Sequence, residues 1–489
     1  MSTHEAAFQM TFAVALFASA AGAVAGQSNP LDYSISTPRP INPAADSTNP
    51  SARATQSLNP YLGSVPDSNV VAGEIKLSLA DAIARGLRFN LGLIDSSQAD
   101  AAARAQRERA FSALLPQISA RAQQTYEDLS LREIGLRLPP KAGFQLPPTT
   151  GAFGYSDARI VAQSSLLNLE LLDRYKAQKA QEAASLLSTK DARDVVVYAV
   201  GAAYFQVVAS QARLLTEQAA LASAQQLNTQ VADQYKAEVS PEIDMLRAEV
   251  EVSSAEQRVV NAANDLQKDK LTLDRITGIP LKQEWSPSRE YDYIPLIEEQ
   301  SAATRFDVES LKQSVSAAQL NLKAARSERL PTVSIEANYG AGGLNPGNYN
   351  QLYEISSSVS VPIFTGGRIR SEAHAAEAEL AQRRAEYQDL ASRVDYDVRV
   401  ALLDAKASDS AVKVAAKNKT LAQRALTQSQ DRFANGVTNY LEVVRAQEAL
   451  VSANENYIAS LFSFNVAKIS LARALGSSET RLASMFGAE

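Results

Sequence analysis

The chain has 489 residues, 45% of them apolar, and a formal net charge of −6. That length accommodates two or more domains and a sizeable buried surface, while the acidic balance argues against nucleic acid, which needs a basic face. With no cysteine and only two histidines, His4 and His374, the chain excludes a disulfide framework, a thiolate metal site, a cysteine nucleophile, a lipid on an N-terminal cysteine and a histidine-rich metal centre.

An alanine-rich apolar run from Phe8 to Gly26 ends in Ala23-Val24-Ala25. This is the pattern of a secretory h-region closing on its cleavage site, and it predicts a signal peptide over 1–25. No Lys or Arg precedes Arg39, so the usual positive n-region is missing, and a buried helix is the competing reading. No later run of 18 apolar residues predicts another membrane-spanning helix. Residues 26–76 hold Pro30, Pro38, Pro40, Pro43, Pro50, Pro60 and Pro66 among Ser, Asn and Thr. Such a stretch buries too little to offset its ordering entropy and reads as a flexible leader.

From Leu77 onward the elements come twice. The first set opens with a helix over Ser78 to Ala113, stopped by Leu115-Pro116. An alternating strand follows, with Ile118, Ala120 and Ala122 on one face and Ser119, Arg121, Gln123 and Thr125 on the other. Beyond a loop containing Pro139, Pro140, Pro147 and Pro148, a second alternating run spans Ser156 to Ser165. A helix from Glu170 to Ala237, a tight turn and a helix from Pro241 to Thr277 complete the set. The second set has a helix over Ala302 to Glu328, stopped at Leu330-Pro331, then a strand with Val333, Ile335, Ala337 and Tyr339 on one face. Its loop carries Gly340, Gly342, Gly343, Pro346 and Gly347. Its return strand sets Tyr353, Ile355, Ser357, Val359 and Val361 against Glu354, Ser356, Ser358 and Ser360. Helices over Arg368 to Asn435 and Asn439 to Leu475 end it.

Fixed offsets relate the two sets. At 215, Ala110, Ser112, Leu115, Pro116, Ser119 and Ala122 meet Ala325, Ser327, Leu330, Pro331, Ser334 and Ala337. At 198, Tyr198, Val200, Ala203, Arg247, Ala248, Leu273, Arg275 and Gly278 meet Tyr396, Val398, Ala401, Arg445, Ala446, Leu471, Arg473 and Gly476. The domain reading is therefore a first repeat over 77–279, a linker over 280–301, a second repeat over 302–477 and a tail over 478–489.

Each long helix spans roughly 100 Å, and the two shorter helices of each repeat total roughly 110 and 96 Å. Two short helices stacked end to end thus match one long helix, with strands at one end and tight turns at the other. Four antiparallel strands cannot close a barrel, for which about eight is the minimum. Open edges are costly in lipid. Strands that span a membrane would therefore come from several chains, eight from two copies or twelve from three.

The pattern resembles the TolC family of outer-membrane efflux proteins over about Leu77 to Gly476. The pieces that carry the resemblance are Leu115-Pro116 and Leu330-Pro331 before the strands, and Pro362-Ile363-Phe364-Thr365-Gly366-Gly367-Arg368 leaving the last strand. Ile276-Thr277-Gly278 and Ala474-Leu475-Gly476 close the two repeats. The resemblance implies a mainly α protomer with a membrane β-barrel: four strands per chain in a shared twelve-stranded barrel, above a long α-helical periplasmic tunnel. It implies a homotrimer in the outer membrane, surrounded by lipid and extending into the periplasm. Such a duct passively serves a tripartite efflux or type I secretion system, with a periplasmic adaptor and an inner-membrane transporter as partners.

In that family the helix turns meet the adaptor. Here these are Val239 and Ser240 in the first repeat and Gly436, Val437 and Thr438 in the second, with Glu238 standing where glycine is usual. The family narrows its entrance with acidic residues just after the second turn, at two positions that map onto Glu442 and Arg445. Their counterparts in the first repeat are Asp244 and Arg247. One carboxylate is kept and the other is replaced by a cation. Around a three-fold axis, adjacent rings of opposite sign pair and largely cancel, so the expectation is a constriction latched by ion pairs; a solvated surface pair is the plainer reading. The resemblance implies no enzyme activity and no cofactor, and the sequence shows neither a Gly-rich phosphate loop nor a nucleophile elbow. The competing function is a structural coiled-coil rod of the envelope or cytosol.

Overall fold

The computed structural model describes residues 59–68, 73–130, 149–288, 293–295, 305–344, 349–476 and 478–486. The expected signal peptide, most of the leader and the proline-rich loop of the first repeat lie outside the described residues.

The first helical stretch is two helices, α1 (Leu79–Phe89) and α2 (Leu91–Ser112), where the sequence predicts one. Asn90 breaks it with extended backbone, ψ 131°. Its side chain accepts from Gly92 N at 3.0 Å and donates to the carbonyls of Tyr61 and Ile276 at 2.8 and 3.3 Å. One buried side chain therefore caps α2 and ties it to two distant segments, satisfying groups that a helix end leaves open. α1 is closed at its own start by a reciprocal Ser78–Asp81 capping box.

The long helix α3 (Leu169–Lys236) has 68 residues and α6 (Arg368–Ala434) has 67. The shorter helices are α4 (Glu242–Thr277), α5 (Phe306–Ser327), α7 (Tyr440–Leu475) and a final α8 (Ser478–Phe486). α3 packs along α2, α4, α5 and α7, whereas α6 packs along α5 and α7. The helical layer therefore runs α2/α4, α3, α5/α7, α6. α3 and α7 each include a stretch long and apolar enough to cross a membrane, about half of it buried within the fold.

Strands β1 (Ile75–Leu77) and β4 (Trp285–Pro287) form a short parallel pair. They join the largest apolar core, where Val196, Val197, Val200, Tyr204 and Phe205 of α3 meet Leu79, Leu273, Ile276, Trp285, Ile469 and Phe486. The Tyr204 hydroxyl donates to the Leu77 carbonyl at 3.0 Å inside this core. Residues 59–68, read from composition as leader, dock here too: Tyr61 packs against the core and against Gly92, whose added Cβ would lie 2.4 Å from the ring. The segment 280–301, read as linker, likewise contributes β4.

The remaining strands, β2 (Gln117–Glu127), β3 (Phe153–Leu167), β5 (Thr332–Gly343) and β6 (Asn350–Ser360), form one antiparallel sheet in the order β2-β3-β5-β6. β2 continues from α2 and β6 leads into α6, so the sheet and the helical layer share their outer edges.

Candidate channel: an open sheet and two helical tips

The strand register sorts the sheet into two faces. Ile118, Ala120, Ala122 and Tyr126 of β2 align with Ala162, Ile160, Ala158 and Gly154 of β3. They continue into Val333, Ile335, Ala337 and Tyr339 of β5, and Val359, Ile355 and Tyr353 of β6. This apolar face is open: Ile118 is 72% exposed, Ile355 72% and Tyr353 79%. Exposed apolar area on this scale marks a surface made for lipid or a partner. The other face is polar and cross-linked. Arg159 pairs with Asp157 at 2.7 Å and reaches Asn338 at 3.5 Å, Asn338 donates to Glu354 at 3.1 Å, and Gln163 donates to Glu336 at 3.0 Å. Strands of 11 to 15 residues meet or exceed the roughly 9–11 that a tilted membrane strand needs. Both sheet edges, β2 and β6, lack a strand partner among the described residues.

At the far end of the helices both turns are Schellman motifs. In the first, Val239 N donates to Gln234 O and Glu238 N to Tyr235 O, each at 2.9 Å; in the second, Val437 N donates to Arg432 O at 2.9 Å and Gly436 N to Phe433 O at 3.0 Å. The motif needs a left-handed residue at one position. Gly436 supplies it at φ 71°, and Glu238, its repeat counterpart, at φ 58°. Among the described residues Glu238 is the one non-glycine with positive φ. Val239 and Val437, the next residues, project as exposed apolar tips, 76% and 66% exposed. Leu227, Val231, Ala248, Phe433, Tyr440 and Val443 join all four helices just behind the turns.

The four charged residues singled out from the sequence all lie within the first two turns of the helices that follow these tips. Asp244 and Arg247 pair with each other at 3.3 Å. Glu442 instead meets Arg432 at 3.3 Å across the α6–α7 hairpin, accepts from the Thr438 hydroxyl, and has its backbone N–H capped by Asn439 at 3.2 Å. Arg445 is exposed and makes no ion pair among the described residues. Sequence spacing alone did not single out Arg432, because its proximity to Glu442 exists only once the chain has turned.

Sequence reasoning also missed the charges buried near the repeat junction. Arg305, 8% exposed, is held by Asp307 at 2.6 Å and Asp397 at 3.1 Å, and Arg473 meets Asp191 at 2.7 Å. Lys468 is buried between Phe464 and Phe486 and donates to the Met485 carbonyl at 2.7 Å; burial lowers its pKa to about 8. Burial also pushes Asp274 up to about 6, against the opposing effect of the Trp285 indole N–H that donates to it at 2.7 Å.

The family described as "Outer membrane efflux protein" matches residues 92–279 and 298–477. Among curated relatives, the outer membrane protein TolC of Vibrio cholerae serotype O1 is 23% identical over 396 residues, covering 76% of this chain and 86% of that protein. The pyoverdine export outer membrane protein OpmQ of Pseudomonas putida is 22% identical over 303 residues, 60% of this chain; the chain spans 64% of that relative's length. Of solved structures, VceC of Vibrio cholerae superposes with a TM-score of 0.69 at 18% identity, over 81% of this chain and 96% of that one. The Campylobacter jejuni CmeC outer membrane channel gives 0.72 at 16% identity, over 87% and 95%. Both share the fold of helices and sheet described above.

Proposed function

This chain belongs to the outer membrane efflux protein family, and from that premise we propose that it is the protomer of a trimeric, passive exit duct in a tripartite efflux or type I secretion system. Its place is the outer membrane, with the helices extending into the periplasm. The observation that carries the proposal is the sheet, apolar on one face, polar on the other and, among the described residues, unpaired at both edges. In lipid such edges must be paired, because each unsatisfied backbone group costs several kcal/mol. A soluble rod has no use for this arrangement.

Three copies fit better than two. Eight strands enclose an interior that side chains nearly fill. Arg121, Arg159, Gln163, Glu336 and Glu354 on the polar face would occlude it. Twelve strands leave a wet conduit. The helical edges support the same assembly. Tyr396, Leu403, Val414 and Leu421 of α6 are exposed apolar residues spaced by 7, 11 and 7, and Ile243, Val250, Val260 and Leu271 line the exposed side of α4. Those spacings keep a seam on one side of a helix. The seam on α6 suits the α4 side of the next copy in a head-to-tail ring.

In this reading Val239, Ser240, Gly436, Val437 and Thr438 meet a periplasmic adaptor, and Glu442, Arg445, Asp244 and Arg247 ring the entrance. The transporter in the inner membrane supplies energy, and the duct does no chemistry. Relatives are named for pyoverdine, solvents, toluene and antibiotics, so small solutes are the cargo class proposed here. Membrane fractionation followed by unheated gel electrophoresis in detergent is the test. A heat-sensitive trimer in the outer-membrane fraction is expected, and a soluble monomer or dimer would overturn the proposal.

A further inference from the structure

The internal repeat carries enough register to say how the barrel closes. Within the chain, β2 pairs with β3 so that Gln117 faces Gln163, and β5 pairs with β6 so that Thr332 faces Ser360. Gln117 and Thr332 are counterparts at the offset of 215 that relates the first strands, which makes Ser360 the counterpart of Gln163. The joint between the two hairpins sets Gln163 opposite Glu336, whose counterpart in the first repeat is Arg121. The joint between two protomers connects the same two kinds of strand, β6 to β2 in place of β3 to β5.

We infer that β6 of one protomer pairs antiparallel with β2 of the partner subunit in the register that sets Ser360 opposite Arg121 of the partner subunit. The inference rests on the oligomeric duct proposed above and specifies the surface by which its copies join. In this register Val359 faces Ala122 of the partner subunit, Ile355 faces Tyr126 of the partner subunit and Ser358 faces Gln123 of the partner subunit. Apolar side chains stay on the lipid face and polar ones on the inner face. A slip of one residue would reverse every side chain and is ruled out by the alternation. Slips of two residues keep the faces, so a second observation is needed to exclude them.

Gln124 supplies it. Its side chain lies on the apolar face, where Ser156 donates to its Oε1. Its amide nitrogen has no partner among the described residues. An amide donor facing hydrocarbon needs an acceptor. The proposed register sets Gln124 of the partner subunit opposite Ser357, whose hydroxyl can accept. The two neighbouring registers would set it opposite Ile355 or Val359, which cannot. One pairing is unfavourable: Glu354 faces Glu127 of the partner subunit, like charges across the joint. Glu354 already accepts from Asn338 at 3.1 Å on its own chain, and this pair lies at the loop end of the strands.

The natural absence of cysteine makes disulfide trapping a clean test. Residues directly opposite have Cα atoms about 4.5–5.5 Å apart, inside the disulfide range, whereas diagonal neighbours at roughly 7–8 Å fall outside it. Three double variants of the full chain would be oxidised in outer membranes: Ser358→Cys with Gln123→Cys, and Ser358→Cys with either Arg121→Cys or Thr125→Cys. All of these positions lie on the inner, wetted face. On a heated, non-reducing gel the first pair is expected to lose its protomer band to covalent dimer and trimer bands, with the other two unchanged. Cross-linking by a displaced pair instead would overturn the register and leave the trimer standing. A heat-sensitive trimer on the unheated gel with no cross-link in any variant would show that β6 and β2 do not meet, which also overturns the inference. Absence of any trimer would remove the duct itself.

Discussion

Glu442→Gln is the most informative single change, because the structure gives Glu442 a partner that the sequence did not single out. Gln keeps an oxygen to accept from Thr438 and removes only the charge that holds Arg432 at 3.3 Å. The two side chains are 40% and 54% exposed, so each pair contributes about 0.2–1 kcal/mol. An opening motion that parts α7 from α6 breaks the three copies in a trimer together, for a total of about 0.6–3 kcal/mol. That corresponds to a roughly 3- to 150-fold shift in the closed-to-open equilibrium. The same substitution leaves Arg432 and Arg445 as rings of uncompensated cations, which draws anions into the entrance. Single-channel recording in planar bilayers reads both effects, as open probability and as reversal potential across a salt gradient. Raising ionic strength should shrink the difference, since partly exposed pairs are screened. Unchanged conductance, open probability and selectivity would refute the assignment of Glu442 to the gate.

Glu238→Gly should stabilise the first turn by about 0.5–1 kcal/mol, the relief of a left-handed L-residue less the added flexibility of glycine. It should slow amide hydrogen exchange around Val239, whereas Glu238→Ala, which keeps the backbone strain, should not; equal effects from the two would show that the carboxylate rather than φ matters. Asp274 provides a pH signature: its pKa of about 6 lies above that of an unfolded carboxylate, so its contribution is fully present below pH 4 and is lost as pH rises through 6. Asp274→Asn, which keeps an acceptor for Trp285, should therefore stabilise the protein by about 1–2 kcal/mol at pH 8, after discounting for screening, and by progressively less toward pH 5; a difference in melting temperature that ignores pH would refute this.

The features legible in the sequence are those fixed by local periodicity. The long helix expected over Glu170 to Ala237 runs Leu169–Lys236, and the second, expected over Arg368 to Asn435, runs Arg368–Ala434. Both lie between turn signals, and alanine-rich helix formers fill them. The strands were legible for the same reason, since alternation alone distinguishes Ile118 from Ser119. Gly340, Gly342 and Gly343, expected in the loop, are however paired within β5, because ladder bonds need no side chain. The break at Asn90 was not, because it depends on carbonyls 29 and 186 residues away. Nor was the docking of 59–68. A composition averaged over some fifty residues hides one tyrosine that fits against Gly92. The charges beside the turns were half legible: Asp244 and Arg247, three apart on one helix, do pair, while Glu442 found Arg432 across a turn.

Duplication accounts for both the order and the asymmetry of this protomer. Where backbone pairing decides, the copies stay equivalent: both turns close with the same Schellman bonds, and both hairpins obey one register. Where only side chains decide, they have diverged. At the junction of sheet and helix, Glu170 accepts from Arg174 at 2.8 Å, and at the matching positions Arg368 donates to Glu372 at 2.9 Å, the same ion pair with its sense reversed. At the tips, strained Glu238 stands against relaxed Gly436, and an internal Asp244–Arg247 pair against the Glu442–Arg432 clasp. A trimer of such chains presents six tips with similar backbones and two alternating chemistries. A partner that reads backbone shape would meet a six-fold ring, and one that reads charge a three-fold ring. Because the clasp belongs to the second repeat alone, an entrance opened by its release would move every other hairpin and dilate with three-fold rather than six-fold symmetry.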